Sequence, residues 1–557
     1  WAGALDADEN ALHSLERNGM LRRERRSAVA GETQYAFRHV LVRDVAYGQI
    51  PRAARGEKHV RAAHWIESLG RAEDHAELVA HHFGAALELG LDVADSACHA
   101  FARAGRRSES LGAWPSAERF YAAALELWPD GDPERPRLQA AHARAIARTT
   151  GETGPLASAV DTLEAAALRE DAGALASFAA QSAWYRGDHD EAAAYIERGK
   201  ALLAGAPPSP ALASLLAEEA RLAVLGNRYD EGQSVGAAAL ELATQLGLDE
   251  QRASVLNTLA TKKFIDGELE ESDRLLEQIM EIAPPGSYQR FRAYANYAIT
   301  ASADGDRDAW LPRWERALEL ATRAGDRANI LWLESSRIAD ALDVGRWDEV
   351  LWRADAFLAQ GPHYLDHSIL LYKAIVLAAR GEREHALALR DRALESTAGI
   401  TEHQVVIPAR MFSAGVTLLA DDPSRARELV MEAEVVAANL AYRAPGVGGF
   451  IAATIARTGR SDAWLAIHSR GAPTRRILAL RLLLSGDVVA GADAWARVSP
   501  HDEACARLYA ARVLLGEGLR GEADIQLQRG LAFFRAVGAT KVVRDGEALL
   551  AAAAAAE

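Results

Sequence analysis

Asp304, Asp306, Asp308 and Glu315 stand at positions 1, 3, 5 and 12 of a twelve-residue calcium loop, the spacing at which oxygen ligands wrap a hard cation. The sharp turn at position 6 needs glycine, however, and Ala309 stands there, with Pro312 at position 9. The run is therefore read as a turn whose acidic residues favour the start of the next helix, without a metal. Five histidines, His59, His64, His75, His81 and His82, crowd into 24 residues. None of them makes a His-Glu-x-x-His pair, and no carboxylate pattern completes a catalytic zinc site. His39, His81 and His82 are instead expected to anchor helices by hydrogen bonds. Arg22, Arg23, Arg25 and Arg26 could lie along a phosphate backbone. Asp6, Asp8, Glu9, Glu16 and Glu24 dilute that charge, so a solvated strand edge is the default reading. No Gly-x-Ser-x-Gly elbow, Cys/His nucleophile pair or dinucleotide glycine fingerprint appears, so no catalytic residue, metal or cofactor is expected.

Composition narrows the class further. A chain of 557 residues exceeds one hydrophobic core, so several domains or a repeat array are expected. Ala, Leu, Arg and Glu, all strong helix formers, dominate. Alternation of the strand kind nearly vanishes after the first forty residues, which makes the chain all-α. The net charge of −15 divides into +3 over residues 1–61 and −18 over the rest. An acidic body repels phosphate, which argues against nucleic acid as a partner of the array. Two distant cysteines, Cys98 and Cys505, suggest neither a disulfide framework nor a thiolate metal site, and fit a cytoplasmic setting. No apolar run is long enough to span a bilayer and no signal peptide is visible, so no membrane partner is expected. The chain begins at Trp1, within an apparent element, and reads as the carboxy-terminal piece of a longer protein.

The elements that would position any site come from a repeat. A glycine or small residue, a charged turn, an acidic helix start and a small residue five positions on recur as Gly187-Asp-His-Asp-Glu-Ala192, Asn227-Arg-Tyr-Asp-Glu-Gly232, Gly267-Glu-Leu-Glu-Glu-Ser272, Gly345-Arg-Trp-Asp-Glu-Val350 and Gly381-Glu-Arg-Glu-His-Ala386. With Gly305-Asp-Arg-Asp-Ala-Trp310 and Ala426 included, the steps are 40, 40, 38, 40, 36 and 40 residues. Such a period means stacked helix pairs. A small residue at the start of the second helix lets two backbones approach to about 8–9 Å. The larger residue four positions later fills the next gap, as Ile196 follows Ala192, Leu276 follows Ser272 and Val430 follows Ala426. Gly112-Ala-Trp-Pro-Ser-Ala117 with Tyr121 repeats the logic, and degenerate units lie near Gly151, Gly459, Gly486 and Gly518. Trp310 and Trp464 break the small-residue rule, and mark either a shifted pair or a kink. Prolines at 129–136, 207–210, 284–285 and 408 are expected between helices.

Residues 1–75 read differently. A helix over 8–18 closes at Asn18-Gly19, and two short extended runs about a turn near 30–33 make a β-hairpin. A helix from His39 follows, broken at Pro51, and another covers 55–69. Tyr35-Ala-Phe-Arg-His-Val-Leu-Val-Arg-Asp-Val-Ala-Tyr47, Arg52-Ala-Ala-Arg-Gly-Glu-Lys-His59 and Ala80-His-His82 resemble the segment after the ATPase module of bacterial STAND-type signalling proteins. The nearest likeness is to those that join a class III cyclase or regulator domain to an AAA-like ATPase and tetratricopeptide (TPR) repeats. Phe533-Phe-Arg-Ala-Val-Gly-Ala539 and Ala548-Leu-Leu550 resemble the last helices of such proteins. The specific part of the likeness ends near residue 85, and no Gly-x-x-x-x-Gly-Lys-Ser/Thr segment or cyclase metal pattern is present. The resemblance implies a winged-helix-like module with a β-hairpin over 1–75, and an all-α, TPR-like superhelix of about 11–12 helix pairs over 76–557. It also implies that Arg22, Arg23, Arg25, Arg26, Arg38, His39, Arg43 and Asp44 face a neighbouring domain.

In that register the second, fifth, ninth and twelfth residues of each first helix face the concave side. These are Ser254, Asn257, Thr261 and Phe264 in one unit, Arg292, Ala295, Ile299 and Ser302 in the next, and Trp332, Ser335, Ala339 and Leu342 in the third. A clamp for a peptide carboxylate wants clustered Lys, Asn and Arg, and only Asn257 and Arg292 qualify. The lining suits an apolar helix, a small ligand or the protein's own neighbouring domain. The expected function is a non-catalytic sensor and protein-interaction region of a larger cytoplasmic signalling ATPase. Its partners would be that protein's own ATPase or cyclase domains, another protein or a small effector. The alternatives are the effector-binding region of a transcription activator and a passive scaffold.

Overall fold

A computed structural model describes residues 8–24, 27, 33–70, 73–226, 228–284, 287–303, 307–361, 363–398, 400, 403–438, 448–469 and 474–555. The chain is an all-α helical-repeat protein with one two-stranded sheet among the described residues. The first element among the described residues is α1 (Glu9–Arg17), whose start is capped by the Asp8 carboxylate accepting from Asn10 N. Strands β1 (Leu21–Arg23) and β2 (Tyr35–Phe37) pair antiparallel with Leu21 opposite Phe37 and Arg23 opposite Tyr35, where the hairpin was expected. Helices α2 (Val40–Gln49), α3 (Arg52–Ser68) and α4 (Ala76–Glu88) follow, with Pro51 separating the first two.

Twelve helix pairs come next among the described residues. They are α5 (Ala94–Ser110) with α6 (Trp114–Leu127), α7 (Arg135–Thr150) with α8 (Gly154–Ala165), α9 (Arg169–Arg186) with α10 (His189–Leu202), and α11 (Pro210–Leu225) with α12 (Tyr229–Gln245). Then follow α13 (Asp249–Asp266) with α14 (Leu269–Ile282), α15 (Tyr288–Ala303) with α16 (Arg307–Ala324), α17 (Arg327–Asp343) with α18 (Trp347–Leu358), and α19 (Asp366–Arg380) with α20 (Arg383–Ser396). The last are α21 (His403–Leu419) with α22 (Pro423–Ala438), α23 (Gly449–Arg457) with α24 (Ser461–Ile467), α25 (Arg475–Leu484) with α26 (Val488–Trp495), and α27 (Pro500–Gly516) with α28 (Arg520–Ala536), before a closing α29 (Thr540–Ala555).

The turn inside a pair needs one left-handed residue so that the second helix can reverse direction at once. Gly187 (φ +84°) and Gly381 (φ +93°) supply it, and Asp421 takes the same conformation at φ +64° where glycine is missing. The small residue five positions on lies buried at the helix crossing in Ala192, Ser272, Ala386 and Ala426. At Gly232 an added Cβ would sit 2.6 Å from Val224 Cγ2 and 3.1 Å from the Ala220 carbonyl, so the two backbones touch there. Ile196, Leu276, Val430 and Tyr121 fill the neighbouring gaps and are buried. Trp464 is buried and stacks on His468, with ring centroids 5.7 Å apart. The expectation for Pro408 is corrected. It lies inside α21, as Pro312 lies inside α16. So near the start of α21 a proline forgoes one backbone bond, to the Gln404 carbonyl, which the packed helix tolerates.

Two compact units divide the chain. The first comprises residues 1–175 with 323–326, and the second residues 176–322 with 327–557. Within the first, α3, α4 and α5 bury Ile66, Val79, Phe83 and Ala100, and α5, α6 and α7 bury Tyr121, Leu138 and Ala145. Within the second, successive pairs stack in chain order, and first helices also touch first helices, α11 with α13, α13 with α15, α17 with α19 and α19 with α21. The end of this unit then turns back on its middle: α27 meets α17, and α29 meets α19. Trp347 lies edge-on to both Phe533 and Phe534, at 6.0 and 6.2 Å between centroids. Among the described residues no helix is long and apolar enough to cross a membrane.

Candidate functional site

The carboxy-terminal unit surrounds a cavity of about 720 Å³. Its wall is built mainly by first helices, whose inward residues recur every three or four positions and so form one stripe per helix. Phe264 comes from α13, Phe291 from α15, Trp332 from α17 and Tyr372 from α19. Phe412 on α21 and Phe450 on α23 continue the aromatic surface. Tyr372 and Phe412 meet edge-on at 5.5 Å, Phe412 and Phe450 stack at 6.4 Å, and Phe450 stacks on His501 at 5.6 Å. The volume is that of a site for a small organic molecule.

Thr261, Phe264, Arg292, Ile299 and Trp332 line this cavity together with Ala295, Ala339 and Leu342. Ser335 borders an adjoining hollow of about 280 Å³, its hydroxyl donating to the Trp332 carbonyl at 2.6 Å. Two residues of the expected set lie elsewhere. Asn257 is fully buried, donating to the Ala253 and Gln289 carbonyls at 3.2 and 3.0 Å and accepting from Asn296 at 3.2 Å, so it joins α13 to α15. Ser254 lies off the cavity, its hydroxyl 3.4 Å from Arg292 Nη1. The reason is axial: 254 and 257 share the stripe of 261 and 264 at 100° per residue but lie nearer the start of α13, where Gln289, Arg292 and Asn296 of α15 cover them. The side chain of Ser302 is outside the described residues.

Charged groups that no repeat pattern signals also reach the cavity. Arg221 is buried and forks onto Glu218 through Nε, at 2.9 and 3.1 Å, and through Nη2. Burial works against its charge, but Glu218 more than offsets this and holds the guanidinium above its usual value. The Tyr185 and Tyr288 hydroxyls lie 2.8 Å apart beside it. At another part of the wall Asp343, at the end of α17, and Asp502, near the start of α27, share Arg476 of α25 at 3.6 and 3.5 Å. Asp502 Oδ1 also accepts from Phe450 N at 2.9 Å, and a Cβ on Gly448 would lie 2.8 Å from both of its carboxylate oxygens. Asp343 lacks such help. Burial and then the Asp502 charge push its carboxyl up to about 7. A third of that side chain is exposed, and it lines the cavity.

Cys505 Sγ lies 3.6 Å from His501 Nε2, one helical turn apart on α27, a spacing of four that was legible. Burial, then Asp502, raises the thiol well above its ordinary value, and burial lowers His501. Both partners are therefore neutral, without the thiolate that nucleophilic catalysis requires. In the amino-terminal unit Tyr47 Oη, His59 and His82 form a chain of 2.8 Å contacts that ties α2, α3 and α4. Burial and neighbouring histidines depress both imidazoles, His82 to about 3, so one neutral ring donates to the other. Asp95, Cys98 and His99 hold potential ligand atoms within 4.8 Å of one another on α5. The Cys98 thiol donates to the Asp95 carbonyl, His99 Nδ1 contacts the same oxygen, and burial keeps the thiol protonated, which leaves a poor ligand set.

Of the basic hairpin, Arg22 pairs with Glu24 at 3.0 Å and Arg23 reaches the Thr33 hydroxyl at 3.2 Å, while Arg25 and Arg26 lie outside the described residues. Arg38 and His39 are exposed before α2, and exposed Arg43 pairs with its neighbour Asp44 at 2.7 Å. Asp304 and Asp306 are also outside the described residues; Asp308 and Glu315 are seven residues apart on α16, roughly 10 Å along the axis, unlike a loop that wraps one ion.

No family model matches the chain, and no curated protein matches it. Solved structures resemble it loosely. One is a crystal structure of a Signal Transduction ATPase with Numerous Domains (STAND) protein with a tetratricopeptide repeat sensor from Pyrococcus horikoshii, 14% identical, covering 78% of this chain and 59% of that one, with a TM-score of 0.34. Another is the TPR domain of P58(IPK), 12% identical, covering 77% of this chain and 97% of that one, with a TM-score of 0.25. This chain thus spans less than two thirds of the length of the STAND structure.

Proposed function

We propose that this chain is a ligand-sensing and protein-interaction region that regulates a larger signalling ATPase. The observation that carries the reading is the cavity of about 720 Å³, aromatic in its walls and charged at a few fixed points, inside a helical-repeat unit that turns back on itself. Cys505 and His501 are neutral, which supports a binding role over a catalytic one. In this reading residues 1–75 are a winged-helix-like relay, with exposed Arg38, His39, Arg43 and Asp44 on its contact side. A ligand that fits one arrangement of the array better than another shifts the population, and the relay passes the shift to the cytoplasmic ATPase, cyclase or regulator domains. The effector-binding region of a transcription activator is supported by the same cavity; a DNA-binding domain upstream would select it.

The test compares nucleotide turnover by the full-length protein before and after removal of this region, and with Ala339→Trp projecting an indole into the cavity. Altered basal or stimulated turnover is expected in both. Equal output under all conditions would leave only a scaffold.

A further inference from the structure

Around Asp343 and Asp502 the fixed charges of the cavity wall do not balance, and this local imbalance identifies a class of ligand. Arg221 is neutralised by the fork to Glu218. Arg292 spends its Nη1 on Gln289 and Ser254, with Glu250 close enough to feel its charge. Asp343 and Asp502 have one guanidinium between them, at 3.6 and 3.5 Å, longer than the 2.9 and 3.1 Å bonds that satisfy Arg221. One carboxylate is therefore in excess. Asp502 is more than nine-tenths buried, and its Oδ2 has no contact to Arg476 Nη1 shorter than 3.5 Å. Beside the two acids stand Tyr372, Phe412 and Phe450, three rings in continuous contact whose faces carry partial negative charge.

We infer that the cavity binds an organic ammonium with an apolar body, its cationic head between Asp343 and Asp502 and its body against the aromatic wall. This deepens the sensor reading and rests on it. The head would complete the charge balance with charge-assisted hydrogen bonds, while ring faces replace part of its lost hydration. Without such a ligand the same deficit is met by a proton, as the raised Asp343 carboxyl records. A neutral molecule leaves that proton in place, and an anion meets two carboxylates.

The experiment uses the whole chain and three probes of one shape, phenylpropylamine, phenylpropanol and phenylpropionate, titrated calorimetrically. The amine is expected to bind at least about 10-fold more tightly than either analogue, the scale of one hydrogen bond to a charged group. Asp343→Asn should remove that advantage and leave the alcohol unaffected. A second measurement needs no variant. Between about pH 6 and about pH 8 amine affinity should rise as Asp343 sheds its proton, while alcohol affinity stays flat. The groups facing Asp343 in that window are Asp340 on its own helix, Tyr372 on α19, Arg476 on α25, and Asp502 and Cys505 on α27. Equal binding of amine and alcohol at both pH values would overturn the ammonium assignment while leaving the cavity a ligand site. Tighter binding of the propionate would do the same. Failure of all three probes to bind would remove the sensor reading with it.

Discussion

The Thr540 hydroxyl donates to the backbone carbonyl of Arg380, 2.8 Å away and 160 residues earlier in the chain. Arg380 Nη2 answers by donating to the Val537 carbonyl at 3.2 Å, and Lys541 pairs with Asp421 at 3.0 Å. Beneath these bonds one apolar cluster extends from Leu331 to Val542. The last helices therefore belong to the core of the carboxy-terminal unit. Replacing buried Phe534 by Ala should cost about 3–5 kcal/mol and lower the melting of the whole unit. Loss of protection confined to α28 and α29, measured by hydrogen exchange, would show that the return contact is not cooperative with the rest.

Close crossings set the second prediction. Ala192 and Ala426 have almost no exposed surface, and neither site has room for a large ring. Ala192→Trp or Ala426→Trp should each destabilise by about 1–3 kcal/mol. Unchanged thermal denaturation of both variants would mean that these are not the crossing points.

Arg221 and Glu218 make a buried pair, and burying one charge without the other is costly. Arg221→Met should destabilise by about 3–5 kcal/mol, whereas the double change with Glu218→Met should recover much of the loss. A double variant no better than the single one would show that the pair has other work to do at the cavity wall.

Acid and base act on this unit in opposite senses through different groups. His363, His367 and His403 are buried and held neutral, each with its value lowered to about 4. The unfolded chain takes up protons that the folded one refuses, so their contribution is complete above about pH 6.5 and fades as pH falls towards 4, by about 1–2 kcal/mol each at pH 5. Asp343 runs the other way. Its folded value of about 7 exceeds the ordinary 3.8, so its contribution is complete below about pH 4 and is lost as pH rises through 7. Asp343→Asn should therefore gain about 1–2 kcal/mol on wild type between pH 5 and pH 8, a figure reduced for the third of the side chain open to water. Chemical denaturation at the two pH values measures it, and a constant difference would contradict the assignment.

What the sequence determined by itself was everything that one helix owes to the next. A left-handed turn residue, a small residue five positions on and a larger one four after that define a pair, and the 40-residue recurrence defines the stack, because these contacts are local. The inward stripe at Thr261, Phe264, Arg292, Ile299 and Trp332 followed from the same periodicity, while Ser254 and Asn257, on that same stripe of α13, lie nearer its start and are covered by α15. Only the tertiary structure decided that the stack turns back, bringing α27 and α29 to α17 and α19. That closure sums small rotations over many pairs, and no short window of sequence encodes the sum. The Asp343, Arg476 and Asp502 cluster depends on it, since its members come from three helices spread over 160 residues.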